Sequence, residues 1–465
     1  MMKLQNTRSD CASYLADGDA GFKGLQLPDR RMLLRYASAL GLANLGGCSS
    51  LLTADLSPFD ASCGDLYLYG LPVLEMARAR QRTIGKAANQ WRHVRKLADS
   101  SSRKVTTPNN DTLYSSAWLD LRKGPVELTY PNATGRYFSV AFLDMFTNNF
   151  VVLGPEQTLG QSGSVRLVAP DGPTTGDEII APTPWVWAQV RTLVSNADDL
   201  KLAHEFQDGL RILGDQLPPP DPVSAPTDPL SELQAIVGLL EAEAPPLPGE
   251  HQLRDRWERA ELTSEGLANA PQSRLTLAVN GIKDARARIT KRLAASTPIS
   301  GWIYPEAHLG DFGNDYLYRA SISVWGLGAL PLREAAYFRA VAQDGVATFP
   351  SDKSFVLRFE PGAAPPARAF WSLSLYEALD DGRLFFSPNP LGRHAIGDRT
   401  PGLRTETDGS LTIWLGGPDP GEDRRSNWLP ATGTRFALIL RAYNPQPSML
   451  DGRYLLPQVN AVSGV

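Results

Sequence analysis

The sequence predicts an α+β protein dominated by short strands. It reads as two β-sandwich or jelly-roll-like lobes, with a helical segment ahead of the first and a helical insertion between them. Three observations carry this. Apolar and polar residues alternate over short stretches in both halves of the chain. Turns rich in Gly, Pro, Asn and Asp separate those stretches. Between the halves, residues 197–299 change to the three-to-four spacing of helices with charged outer faces.

Taken in order, residues 65–100 predict a leading helix, because 73–96 holds few breakers. Strands then take over at 126–130, 136–143, 150–153, 164–168 and 186–193. The run Arg136, Tyr137, Phe138, Ser139, Val140, Ala141, Phe142 fits a sheet with one buried face. Residues 200–213, 233–242, 252–267 and 273–294 predict helices, with a proline-rich connector at 218–229. Strands return at 354–360, 369–376, 384–387, 410–415 and 434–443. These patterns divide the chain into a leader (1–47), a β-rich domain with leading helices (48–195), the helical insertion (196–300) and a C-terminal β-sandwich (301–465).

The leader resembles a twin-arginine export signal that ends in a lipoprotein cleavage box. Arg30 and Arg31 precede Leu33, Leu34 and a further basic residue, Arg35. The weakly apolar run 36–45 is too short to span a bilayer, which takes about 20 residues. Gly46 and Gly47 then lead into Cys48, whose thiol carries the lipid in such signals. The pattern predicts export and a lipid anchor at Cys48, facing the periplasm or seated on the outer membrane.

Cleavage before Cys48 leaves 418 of the 465 residues, with 40 Lys and Arg against 46 Asp and Glu. This acidic balance lacks the basic footprint of nucleic-acid binding. The length accommodates two or three domains. No run of 18 apolar residues offers a membrane span. Cys63, outside the leader and the lipid site, reads as a small buried hydrophobe. Assembly with like copies is left open.

The densest polar-aromatic cluster runs from Pro108 through Asn109, Asn110, Asp111 and Tyr114 to Trp118 and Asp120. Asp111 beside the Tyr114 phenol suits acid–base chemistry or a polar ligand. The competing reading is a turn in which Asn and Asp cap backbone groups. Asp144 ends an apolar run, a position where a carboxyl pKa rises. Tyr316, Arg319 and Ala320 share a helical face, and Arg319 suits either an anionic substrate or a buried salt bridge. Asp111, Asp144 and Tyr114 are therefore the catalytic candidates, and Asn149, Arg319 and Trp371 the substrate-binding ones.

Standard signatures are missing. There is no Gly-x-Ser-x-Gly elbow and no Gly-x-x-x-x-Gly-Lys loop, and Gly326, Leu327, Gly328 lacks a third glycine. Among five histidines, only His308 with Asp311 and His394 with Asp398 offer metal-ligand pairs, so no metal is assigned and any cofactor is unspecified.

The stretch from Asn110 to Ser115 with Trp118 and Asp120, then Arg136, Tyr137, Asp144, Thr147, Asn149, Phe150 and Gly154, resembles the domain of unknown function numbered twelve-fifty-four. Phe370, Trp371 and Ser372, then Ile396, Gly397, Asp398, Arg399, and later Asn427, Trp428, Leu429, Pro430, are similar to its usual partner, numbered twelve-fourteen. The resemblance implies a β-rich, two-lobed and often exported bacterial protein, and supplies no established catalytic residues. The expectation is an exported, membrane-tethered enzyme, hydrolase or lyase in type, acting on a small organic substrate. The alternative is a non-catalytic envelope protein that binds a carbohydrate or another ligand. The first requires Asp111, Asp144 and Arg319 in one enclosed pocket. The second requires aromatic side chains along an open groove.

Overall fold

The computed structural model describes residues 58–462 apart from Thr134, Ser224 and Pro248, so the twin-arginine leader and Cys48 lie outside the described residues. Helix α1 (Pro58–Thr83) is buried on almost every side, because Leu66, Leu68, Leu71, Val73, Leu74 and Met76 leave it no continuous polar stripe. Glycines let its neighbours approach: a Cβ on Gly281 would collide with the Asp60 carbonyl, and one on Gly70 with Ile236. The helix stops well short of residue 100. Gly85 turns the chain at φ +78°, and Arg92 Nη1 donates to the Thr83 carbonyl at 2.7 Å. Cys63 is fully buried in α1, and burial pushes its thiol up to about 12, so it stays protonated and unreactive at neutral pH.

The first lobe is a sandwich of two sheets. Sheet I runs β1 (Arg92–His93), β2 (Thr112–Asp120), β8 (Trp185–Leu193), β4 (Phe138–Leu143), β5 (Asn149–Leu153), antiparallel throughout. Sheet II runs β7 (Ile179–Ile180), β6 (Gly163–Val168), β3 (Val126–Tyr130), β9 (Arg211–Leu213). Leu119, Leu128, Phe138, Phe142, Leu167 and Val186 fill the space between them, and helix α2 (Leu200–Gly209) adds Phe206. Because β9 pairs with β3, this lobe reaches Leu213, and the helical insertion begins later than residue 196.

The second lobe repeats the plan. Sheet III runs β10 (Trp302–Ile303), β11 (Ala335–Ala340), β19 (Arg435–Pro445), β14 (Ala367–Ala378), β15 (Leu384–Phe385), with β12 (Phe349–Pro350) on β19 and β16 (Ala395–Gly397) on β14. Sheet IV runs β18 (Trp428–Leu429), β17 (Leu411–Gly416), β13 (Ser354–Phe359), β20 (Asn460–Ala461). Phe338, Leu357, Phe359, Leu373, Ile413 and Leu440 pack between them. The fold is thus α+β with helices before and between two sandwiches, and none of the four sheets closes into a barrel.

Helices α3 (Pro229–Ala242), α4 (His251–Arg259), α5 (Ser264–Ala268), α6 (Gln272–Ala294) and α7 (Tyr316–Trp325) gather around α1. This layer covers the outer face of sheet I at its Trp118, Leu143, Trp185 and Trp187 end. The remaining outer face of sheet I turns toward sheet III. It carries the cross-strand row Tyr114, Arg191, Ser139, and sheet III answers with the row Tyr337, Arg441, Ser372.

Candidate functional site

The polar faces of sheets I and III meet between the lobes, and Arg191 lies at their centre. Alternation along β8 sends Val186, Ala188 and Val190 into the first core and Trp187, Gln189 and Arg191 to the opposite face. Arg191 is 5 % exposed; its Nη2 donates to the Gly328 carbonyl at 2.7 Å, while Nη1 has no hydrogen-bond partner among the described residues. Burial works against its charge, and its pKa is nonetheless held above the ordinary value by Tyr114, Tyr337, Tyr443 and Tyr137, an effect those phenols exert once ionised at high pH. Arg441 reaches across from β19, donating to Ser374 Oγ at 2.9 Å and to the Thr107 carbonyl at 3.1 Å. Neither arginine forms a salt bridge among the described residues.

The surrounding groups are mostly donors. Burial raises the pKa of Tyr137, Tyr337 and Tyr443, so these phenols stay protonated at neutral pH. Tyr137 donates to Glu334 Oε1 at 2.5 Å, and burial raises that carboxyl as well. Arg339 follows Tyr337 on the same face of β11; its Nε is buried and has no hydrogen-bond partner among the described residues, and burial lowers its pKa. Tyr114, Ser116, Tyr337 and Arg339 are only half-buried, so water-sized groups reach this face. Gly328 closes one side. Its φ is +81°, and a Cβ there would come within 3.3 Å of the Trp187 ring and 3.5 Å of Gln189 Oε1. Gln189 Oε1 is itself buried and has no hydrogen-bond partner among the described residues. Arginines without salt bridges among the described residues, protonated phenols and few acids leave this seam rich in positive charge and hydrogen-bond donors.

The structure puts the sequence candidates in three places. Asp111 and Tyr114 border the seam. Asp111 accepts from Ser372 Oγ at 2.6 Å and from Arg399 Nη2 at 3.2 Å, binding the second lobe to the loop before β2. Asn109 Nδ2 donates to the hydroxyls of Tyr114 and Tyr443, at 3.1 and 2.8 Å. Tyr114 therefore joins the site, whereas the Asp111 carboxylate is held as a clasp.

Asp144 and Arg319 lie elsewhere. Val194 N–H bonds the Asp111 carbonyl, while Leu143 pairs with Trp187, so Asp111 and Asp144 stand roughly 25 Å apart along β8. The expected acid–base pair of Asp111 and Asp144 does not form. Asp144 accepts the backbone N–H groups of Phe146 and Asn148, both at 2.9 Å, and Asn148 Nδ2 at 3.0 Å. Arg319 is fully buried, and none of its three nitrogens has a hydrogen-bond partner among the described residues. The rings of Tyr69, Phe146 and Tyr316 surround it at 5.1, 5.0 and 5.0 Å, so it forms neither the substrate clamp nor the salt bridge expected of it. Asn149 ties the same loop to the Gly310 and Ala329 carbonyls, at 3.2 and 2.9 Å. Trp371 points the other way, into the second core against Phe359, and so cannot contact a ligand in the seam.

Two surface clefts of about 370 and 380 Å³ hold none of these candidates. His308 meets Asp315 Oδ2 at 3.2 Å and Glu306 at 3.8 Å rather than Asp311, and Arg292 already neutralises that acidic pair. His394 stacks on Phe386.

Sequence reading missed Arg191, Gln189, Tyr337, Arg441, Tyr443 and Glu334. A signal was present: Gln189 and Arg191 occupy alternate positions of a strand whose other positions are apolar, as do Tyr337 with Arg339 and Arg441 with Tyr443. A charge on one face of a strand that is apolar on the other marks a sheet buried on both sides with a polar partner.

Asp144 has a pH signature. Burial raises its carboxyl from 3.8 to about 6, against the hydrogen bonds from Asn148 and the charge of Arg319. The folded state then holds this proton more tightly than the unfolded chain. Its contribution is full below about pH 4 and is lost as pH rises through about 6, a change on the order of 3 kcal/mol. In denaturant titrations, the stability of the wild type relative to Asp144→Asn is expected to fall across that window. A flat difference would contradict the assignment.

Residues 88–213 match the family described as Protein of unknown function (DUF1254), and residues 334–447 match Protein of unknown function (DUF1214). No curated protein matches this sequence. The crystal structure of the VPA0106 protein from Vibrio parahaemolyticus is similar in fold, with TM-score 0.66 and 22 % identity over 87 % of this chain and 100 % of that one. An uncharacterized protein from Burkholderia cenocepacia aligns with TM-score 0.43 and 14 % identity over 93 % of this chain and 95 % of that one. The chain carries the two domains in tandem, DUF1254 ahead of DUF1214.

Proposed function

We propose that this protein binds a small organic anion between its two lobes, and that it does so outside the cytoplasm as a lipid-tethered envelope protein. The observation that carries the first part is Arg191. A buried guanidinium without a salt bridge costs several kcal/mol of lost hydration, and the Tyr114 ring 5.4 Å from its Cζ offsets only part of that. A carboxylate or phosphate facing Nη1 completes the balance. The geometry favours the ligand-binding reading over a two-carboxylate hydrolase or lyase, since Asp111 is committed to Ser372 and Arg399 and Asp144 lies at the far end of the sheet.

Isothermal titration of the mature protein with acetate, benzoate and inorganic phosphate tests this reading. The wild type should bind at least one of them, more weakly as salt is raised. Arg191→Met should lower that affinity by about tenfold or more, the effect of losing one charge-assisted contact, while leaving the circular dichroism spectrum and thermal midpoint intact or improved. Equal binding by wild type and variant would sink the proposal.

The second part rests on the leader, Arg30 and Arg31 ahead of Gly46, Gly47 and Cys48. Replacing both arginines by lysine should hold the uncleaved chain in the cytoplasm, and Cys48→Ser should release an exported chain from the membrane fraction. Unchanged fractionation of both variants would overturn it.

A further inference from the structure

We infer that the ligand taken up between the lobes is a hydroxylated carboxylate, of the class of the sugar acids and polyhydroxy acids. The inference rests on the anion-binding reading above and adds the second group that the ligand carries.

Two neighbouring side chains on one face of β8 each hold a buried polar atom without a hydrogen-bond partner among the described residues, and the two atoms are of opposite character. Arg191 Nη1 is a donor. Gln189 Oε1 is an acceptor. The two residues are 5 % and 9 % exposed, so neither atom is readily served by bulk solvent. Positions i and i+2 of a strand point the same way, roughly 7 Å apart. The two atoms thus ask for one molecule with an anionic acceptor at one end and a donor a few bonds along.

The donor is a hydroxyl rather than an ammonium. Arg191 and Arg441 make the seam positive, and the nearest acids are occupied: Glu334 by Tyr137, and Asp111 by Ser372 and Arg399. A second cation beside Arg191 would meet repulsion with no free carboxylate to balance it. A neutral hydroxyl donates to Gln189 Oε1 without that penalty, and its own oxygen remains free to accept from a neighbouring phenol. Tyr114 and Tyr337 stand half-buried on the two facing sheets, and both are near enough to Arg191 to act on its charge.

Gly328 adds a steric argument. Its carbonyl holds Arg191 Nη2, which leaves Nη1 as the end of the fork without a partner among the described residues. A side chain at 328 would come against both the Trp187 ring and Gln189 Oε1, the second atom of the pair. Glycine lets the backbone at 328 lie against this part of β8 without a side chain pressing on Gln189 Oε1.

A simple fatty carboxylate of the same length satisfies Arg191 and leaves Gln189 unmet. A neutral polyol does the reverse. Sites built to bond a hydroxyl discriminate strongly against analogues that lack it. Calorimetry of the mature protein with D-gluconate, hexanoate and D-glucitol is the test, repeated on Gln189→Leu. Gluconate should bind about tenfold or more tightly than hexanoate, and glucitol should give no measurable heat. Gln189→Leu should bring gluconate down to the affinity of hexanoate while leaving hexanoate itself unchanged. Equal affinity of the wild type for gluconate and hexanoate would overturn the hydroxyl assignment and leave the anion site standing. A loss for both ligands in Gln189→Leu would overturn it too, by making Gln189 a structural residue. No binding of either carboxylate would overturn the anion site along with it.

Discussion

Sheets I and III are each buried on both faces, and the polar groups on the faces that meet have to find partners across the seam between the lobes. Most do. Asp111 receives Ser372 and Arg399, Tyr137 reaches Glu334, Asn109 reaches Tyr443, Arg441 reaches the Thr107 carbonyl, and Tyr376 donates to the Pro108 carbonyl. Each bond joins a residue of one lobe to the other, so the lobes dock in one register. Apolar contacts in the same seam, such as Phe370 stacked on Tyr443 and Tyr137 edge-on to both, add area without fixing direction. Among the described residues the exceptions in the seam include Arg191 Nη1 and Gln189 Oε1 on sheet I and the Nε atoms of Arg339 and Arg399 on the second lobe, all buried without a hydrogen-bond partner.

The helical layer solves a different problem. It covers the tryptophan end of sheet I and holds a second buried arginine, Arg319, without any hydrogen bond among the described residues. Three rings and the nearby charge of Asp144 stand in for acceptors, and the hydroxyls of Tyr69 and Tyr316 both end on Glu250. This cluster joins α1, α7 and the loop after β4, a role in assembling the layer. The loop that follows α7 carries Gly328, so the same helix that anchors the layer also positions the carbonyl that orients Arg191.

Much of the fold was legible because strands of this kind announce themselves by alternation. The predicted strand at 126–130 is β3 to the residue, and those at 136–143, 164–168 and 186–193 are β4, β6 and β8 within two residues at either end. The leading helix was overextended because nothing local forbids helix after Thr83 except Gly85 and the tertiary bond from Arg92. The site was less legible. Tyr114 was found through its crowded motif, but Asp111 stands out in that motif for a docking role. Trp371 and Arg319 are conspicuous residue types whose positions are decided by packing. Arg191 and Gln189 sit in a strand that looks apolar on average, and their importance comes from a partner sheet some 150 to 250 residues further along the chain. Facing of that kind is a property of the tertiary fold.

The account stands on Arg191 Nη1 being an anion site, and anomalous diffraction from crystals of the mature protein soaked in bromide tests that most directly. The prediction is an anomalous peak between the lobes, at hydrogen-bond distance from Arg191 Nη1 and close to the Tyr337 and Tyr114 hydroxyls. An ordered water bridging Nη1 to a phenol, with no anomalous peak in the seam, would contradict it and make Arg191 one more clasp between the lobes.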